Sequence, residues 1–225
     1  MTAPVETRRS PLRTALLAVI AVGLVLLGGG LAVALGVGRD AGAMPSTDSV
    51  DAGFARDMSR HHLQGVEMAN VALERSEDPE IRTLAFDISS TQTNQAGRME
   101  GWLSLWGLPS SGGEVMAWMA DDEAHTGHSM EGMDMGGETL MPGMATEEEL
   151  TELRGLSGTA FDVQFLRLMI RHHQGGLGMA EYAADHADVD AVRRLAGTIA
   201  DTQTAETTTM TELLTERGGT PLPAP

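Results

Sequence analysis

The sequence predicts an all-α protein: a four-helix bundle made of two duplicated helical hairpins, preceded by an N-terminal hydrophobic helix. The first observation behind this is a repeat. An ungapped shift of 111 residues lays Phe54, Arg56, Met58, Arg60, His61, His62, Gly65, Met68 and Ala69 on Phe165, Arg167, Met169, Arg171, His172, His173, Gly176, Met179 and Ala180. Further on, Arg82, Leu84, Ala85, Ile88, Gln92 and Met99 return as Arg193, Leu195, Ala196, Ile199, Gln203 and Met210. The second observation is periodicity: Ile81, Leu84, Ala85, Ile88, Gln92, Gln95, Met99, Trp102 and Trp106 step by three or four, as one face of a helix does, and no run alternates as a strand would. The third is copy number. Two hairpins are too few for a solenoid and neither can bury its stripe alone, so they are expected to close on each other.

Residues 1–38 read as a signal or membrane anchor. Ala15 to Gly38 is 24 residues without a charge, preceded by Arg8, Arg9 and Arg13, long enough to span a bilayer with the arginines kept inside. Gly28-Gly29-Gly30 interrupts the run and Ala32-Val33-Ala34 resembles a cleavage site, so a cleaved signal and an uncleaved anchor both fit. Residues 39–49, rich in Gly, Ala, Pro and Ser, form a linker. The first hairpin occupies 50–107, turning at Ser76 to Pro79, where proline suits a first helical position. Residues 108–145 are a Gly-, Met-, His- and acid-rich insertion without periodicity. Residues 146–218 hold a short helix, opened by Thr146 and Glu147 to Glu149, and then the second hairpin, turning at His186 to Asp190. Residues 219–225 are a tail.

Composition narrows the function. The 225 residues carry a formal charge of -17 and no cysteine, which excludes disulfides, thiolate zinc sites and iron–sulfur clusters. The acidity argues against a nucleic-acid partner. Residues 1–38 contain three arginines and one acid, so the remainder is more acidic still. The 15 methionines are roughly three times ordinary usage.

On a helical wheel His61 and His62 straddle a line through Met58 and Gly65, and His172 and His173 do the same about Met169 and Gly176. Glycine in mid-helix costs about 1 kcal/mol relative to alanine, so the two glycines point to close approach. Facing helices would bring up to four imidazoles and two thioethers together, with Met58, Met68, Met169 and Met179 as the candidate thioether ligands. Imidazole suits copper, zinc, nickel and iron, and thioether selects copper(I). The plainer reading makes these methionines core filling and the histidines structural; for Met99, Met210, Gln92, Gln203 and Glu206, on the second-helix stripes, packing is the expectation. The insertion adds His125, His128, Met130, Met133, Met135, Met141 and Met144. A solvated loop has no core to fill, so these are expected to bind copper or silver. Met116 and Met119 flank Trp118 and are expected to form a small apolar patch.

The blocks FARDMSRHHLQGVEMA (54–69) and FLRLMIRHHQGGLGMA (165–180) resemble an exported His-His family, domain of unknown function 305, which includes CopM-like periplasmic copper-binding proteins and is similar in fold to ferritin-like bundles. The resemblance covers about Val50 to Gly218. It implies copper binding and copper tolerance, with His61, His62, Met68, His172, His173 and Met179 at the matching positions. The chain is therefore expected to be exported and not an enzyme, binding copper(I) preferentially, with copper(II) and silver as alternatives. It is expected to meet the membrane through its N-terminal helix if uncleaved, and a copper-transport partner. Two other classes compete: a ferritin-like di-iron or other metal-dependent oxidase, which needs Glu-x-x-His motifs that neither hairpin has, and a pH-responsive envelope interaction module.

Overall fold

The computed structural model describes residues 20–25, 44–119 and 140–225. Residues 20–25 are helical and fall in a unit of their own, Met1–Met44. Among the described residues no helix is long and apolar enough to cross a membrane. The rest of the predicted signal or anchor lies outside the described residues, as do His125, His128, Met130, Met133 and Met135.

Among the described residues of the second unit, Pro45–Pro225, all regular structure is helical. It comprises α1 (Val50–Arg75), α2 (Pro79–Trp106), a 3₁₀ turn (Ala117–Met119), α3 (Glu147–Gly155), α4 (Gly158–His186) and α5 (Asp190–Glu216). α1 packs on α2, α4 on α5, and the two hairpins meet through α1 and α4. Three helices begin where a local side chain satisfies orphan backbone groups. The Ser49 hydroxyl accepts from the Ala52 amide at 3.2 Å, Asp78 accepts from Glu80 at 2.9 Å with Pro79 behind it, and Thr146 and Glu149 form a reciprocal capping box. α2 stops at Gly107, whose φ of 68° is left-handed.

Two caps cross from one hairpin to the other. The buried Asp51 carboxylate accepts from the Asp188 and Val189 amides at the start of α5, at 3.2 and 2.8 Å. Its repeat equivalent Asp162 accepts from the Ser76 hydroxyl at the α1–α2 turn, at 2.6 Å. Each hairpin's first helix thus holds the other hairpin's turn.

The apolar core falls into two clusters. One contains Phe54, Met58, Met99, Trp118, Met119, Met141 and Met179; the other contains Met68, Phe161, Phe165, Met169 and Met210. Along every long helix the clusters are separated by one polar step: His61 and His62 on α1, Gln92 and Gln95 on α2, His172 and His173 on α4, Gln203 and Glu206 on α5. The bundle therefore carries a polar layer between two methionine-rich halves.

The insertion differs from a wholly solvated loop. At its leading end Trp118 packs edge-on to Phe54 and Tyr182 and donates its indole N–H to Asp57 at 2.8 Å, with Met119 buried beside it, as the expected apolar patch. At its trailing end Met141 is only 2% exposed and Met144 is half-buried against the same cluster. Both were expected as solvated copper ligands. They are not solvated: both pack on the apolar cluster, because the chain from Leu140 onward lies on the bundle.

Candidate metal centre

The histidines of both pairs, His61, His62, His172 and His173, are fully buried, in the polar layer. The rings of His61 and His172 lie 3.8 Å apart, centroid to centroid, tilted by 33°. The two glycines make this meeting possible. A Cβ at Gly65 would lie 3.0 Å from His172 Cε1 and 2.2 Å from Gln92 Oε1; one at Gly176 would lie 3.1 Å from His61 Cε1 and 2.9 Å from the Gln203 amide atoms. The space foreseen beside each glycine is filled by the other copy's first histidine and by a glutamine of its own hairpin.

Hydrogen bonds fix which ring nitrogen is bare. His61 Nε2 donates to the Pro142 carbonyl (3.2 Å) and His172 Nε2 to the His61 carbonyl (2.9 Å); a carbonyl only accepts, so each Nε2 carries the proton. His62 Nε2 donates to Gln95 Oε1 at 2.8 Å. The Nδ1 atoms of His61, His62 and His172 are buried without a partner. Burial pushes His61 down from 6.5 to about 4; burial and then the charge of His61 push His62 to about 3, and the same causes hold His172 well below its ordinary value. Near pH 7 these three rings are neutral, each with an uncommitted lone pair. That is the form in which imidazole ligates a metal.

His173 is different. Its Nδ1 donates to the Met169 carbonyl (3.0 Å) and its Nε2 meets Glu206 Oε2 (2.7 Å), so neither nitrogen has a free lone pair. The expectation of four imidazoles and two thioethers around one point is not met. His62 and His173 point to their own hairpins' second helices, while Met58 and Met179 pack in one apolar cluster and Met68 and Met169 in the other. Among the described residues no three His, Cys, Asp or Glu side chains converge on a common point. Gln92 and Gln203, expected as packing residues, belong to the layer, and both amide groups are buried without a hydrogen-bond partner. The signal was present: they recur at the repeat shift as polar residues inside apolar stripes. The donor set fits copper in kind, with neutral imidazole nitrogens fixed by their second nitrogens.

A duplicated helical bundle with this buried histidine layer defines the class of protein. The chain belongs to the family described as Domain of unknown function (DUF305), whose model matches residues 51–214. Among solved structures it is similar to a DUF305 protein from Streptomyces coelicolor described as secreted, with 42% identity, a TM-score of 0.69, and coverage of 79% of this chain and 99% of that one. It is also similar to a DUF305 fragment from Deinococcus radiodurans, at 34% identity, TM-score 0.59, and coverage of 74% and 96%. A third similar structure is CopM in its Cu(II)-bound form, at 27% identity, TM-score 0.56, and coverage of 75% and 97%. No curated protein matches the chain.

Proposed function

We propose that this is an exported, non-catalytic copper-binding protein that sequesters or delivers copper outside the cytoplasm. The observation that carries the reading is the set of three buried, neutral imidazoles, His61, His62 and His172, each with an unpartnered Nδ1. Such groups cost free energy to bury unsatisfied, and a soft or borderline cation is the guest that neutral nitrogen serves. The copper-bound state of the CopM neighbour supports the same metal, and the description of the Streptomyces coelicolor neighbour supports export. Thioethers favour copper(I), with copper(II) and silver as further guests. His125, His128, Met130, Met133 and Met135, with their closely spaced imidazoles and thioethers, would add further sites. Attachment to the membrane through residues 15–38, and a transport protein that exchanges the metal, complete the proposal. A di-iron oxidase would need carboxylates among the core histidines; among the described residues Glu206 alone is bonded to one.

The test is a competition titration against a copper(I) chelator with oxygen uptake recorded. His61→Ala with His172→Ala should remove the tightest site, whereas serine at His125, His128, Met130, Met133 and Met135 should lower only the number of ions bound. Loss of the tightest site in the second variant, or metal-dependent oxygen consumption, would refute the reading.

A further inference from the structure

His61 and His172 are repeat equivalents, yet their Nε2 protons go to different places. His172 uses a main-chain carbonyl of the facing helix, whereas His61 uses Pro142, which belongs to the trailing end of the insertion. The chain reaches His61 there because of Gly175. A Cβ at that position would lie 2.0 Å from the Pro142 oxygen, 2.3 Å from its carbon and 2.7 Å from the Gly143 nitrogen. All are backbone atoms, which cannot swing aside as a side-chain end can. The first copy has Gln64 at the equivalent position, and its amide holds the same strap from the other side. Gln64 Nε2 donates to the Ala145 carbonyl at 2.9 Å, and Gln64 Oε1 accepts from the Ala145 amide at 2.7 Å. Gly143 follows the contact with φ 78°, where a Cβ would meet the Arg171 carbonyl. Arg171 in turn donates to the Met144 carbonyl and pairs with Glu149.

We propose that Gly175, Gln64 and the Pro142 carbonyl are positioning elements for the histidine layer: they press the strap onto α4 so that His61 holds its proton on Nε2 and keeps a bare Nδ1 that would be free to ligate a metal. This rests on the copper reading for its consequence but not for its geometry. A ring whose second nitrogen is anchored by a carbonyl is fixed in tautomer and orientation, and loss of such a partner lowers metal affinity by about 10- to 100-fold. The glycine is needed for close approach of two backbones, a use distinct from that of Gly65 and Gly176, which admit rings.

The test uses the metal-free full chain and reads the His61 ring by long-range ¹H–¹⁵N correlation. The wild type should show Nε2 protonated and Nδ1 bare. Gly175→Ala should mix the two tautomers at His61, leave His172 in its original one, and weaken copper binding about tenfold or more. Gln64→Leu adds no clash and should shift the same signals less, so the proposal stays testable if Gly175→Ala folds poorly. Gly197→Ala, on α5 with open space around it, should change neither. An unchanged His61 tautomer in both strap variants overturns the proposal, as does a changed tautomer with copper affinity unaltered. If the wild type binds no copper, the functional reading fails while the tautomer measurement still decides the positioning role.

Discussion

Glu206 holds in the second hairpin the place that Gln95 holds in the first, 111 residues earlier, and each meets the Nε2 of its own hairpin's second histidine, at 2.7 and 2.8 Å. The exchange of amide for carboxylate separates the two histidines chemically. His62 satisfies Gln95 with one proton and keeps Nδ1 bare, whereas His173 is bonded at both nitrogens. His62→Ala is therefore expected to weaken the tightest copper site about tenfold or more, and His173→Ala to change it by less than about threefold, in the same chelator competition. Equal effects of the two substitutions would show that the hydrogen bonds of His173 do not withhold it from the metal.

Acid should unfold the metal-free bundle early. The native values of about 4 for His61 and about 3 for His62, and the lowered value of His172, lie below the unfolded 6.5. Between these limits the unfolded chain binds protons that the native one refuses, so stability falls as pH falls through 6.5 towards 4. At pH 5 His61 and His62 should each cost about 2 kcal/mol relative to pH 7.5, and His172 should add a loss of the same sign. Urea midpoints measured at both pH values check this, and the drop should shrink in a His62→Gln variant.

Glycine substitutions should divide by what surrounds them. A Cβ at Gly53 would lie 2.3 Å from the Trp118 ring, so Gly53→Ala should displace the indole from Asp57 and cost about 1–3 kcal/mol. At Gly101, exposed in α2 with nothing within 4 Å, alanine should stabilise by up to about 1 kcal/mol. Thermal unfolding of both variants, with tryptophan fluorescence for the first, tests the contrast.

Asp51→Ala should cost about 1–2 kcal/mol, because it leaves two amide donors at the start of α5 without their acceptor. Hydrogen exchange at Asp188 and Val189 should accelerate before exchange elsewhere in α5. Uniform acceleration along the helix would mean that the cap acts on the fold as a whole.

The hairpins were legible because an ungapped repeat and a three-to-four step both survive in one dimension. Periodicity names the face of a helix but not which residues on different helices share a level. Gln92, Gln203 and Glu206 therefore read as packing, although they stand at the height of the histidines. Wheel geometry put Gly65 and Gly176 beside a close approach but could not say that the neighbour would be an imidazole from the other copy. The burial of Met141 is hidden from the sequence for a further reason. It depends on contact with helices far away in sequence, and local composition carries no trace of that contact. The crossed caps of Asp51 and Asp162 obey the same shift of 111 but lie outside the two matching blocks.

Gly65 shelters His172 and Gly176 shelters His61, so neither hairpin contains a finished half of the layer. The ring–glycine contacts that cross between the hairpins are the same in the two copies, whereas Gln95 and Glu206, which differ, each meet the second histidine of their own hairpin. This is the pattern of a symmetric dimer fused into one chain. A contact between copies must change twice to remain self-complementary, while a contact inside a copy can change once. In the histidine layer, then, the contacts inside each hairpin have diverged while the His61–Gly176 and His172–Gly65 contacts between hairpins keep their symmetry.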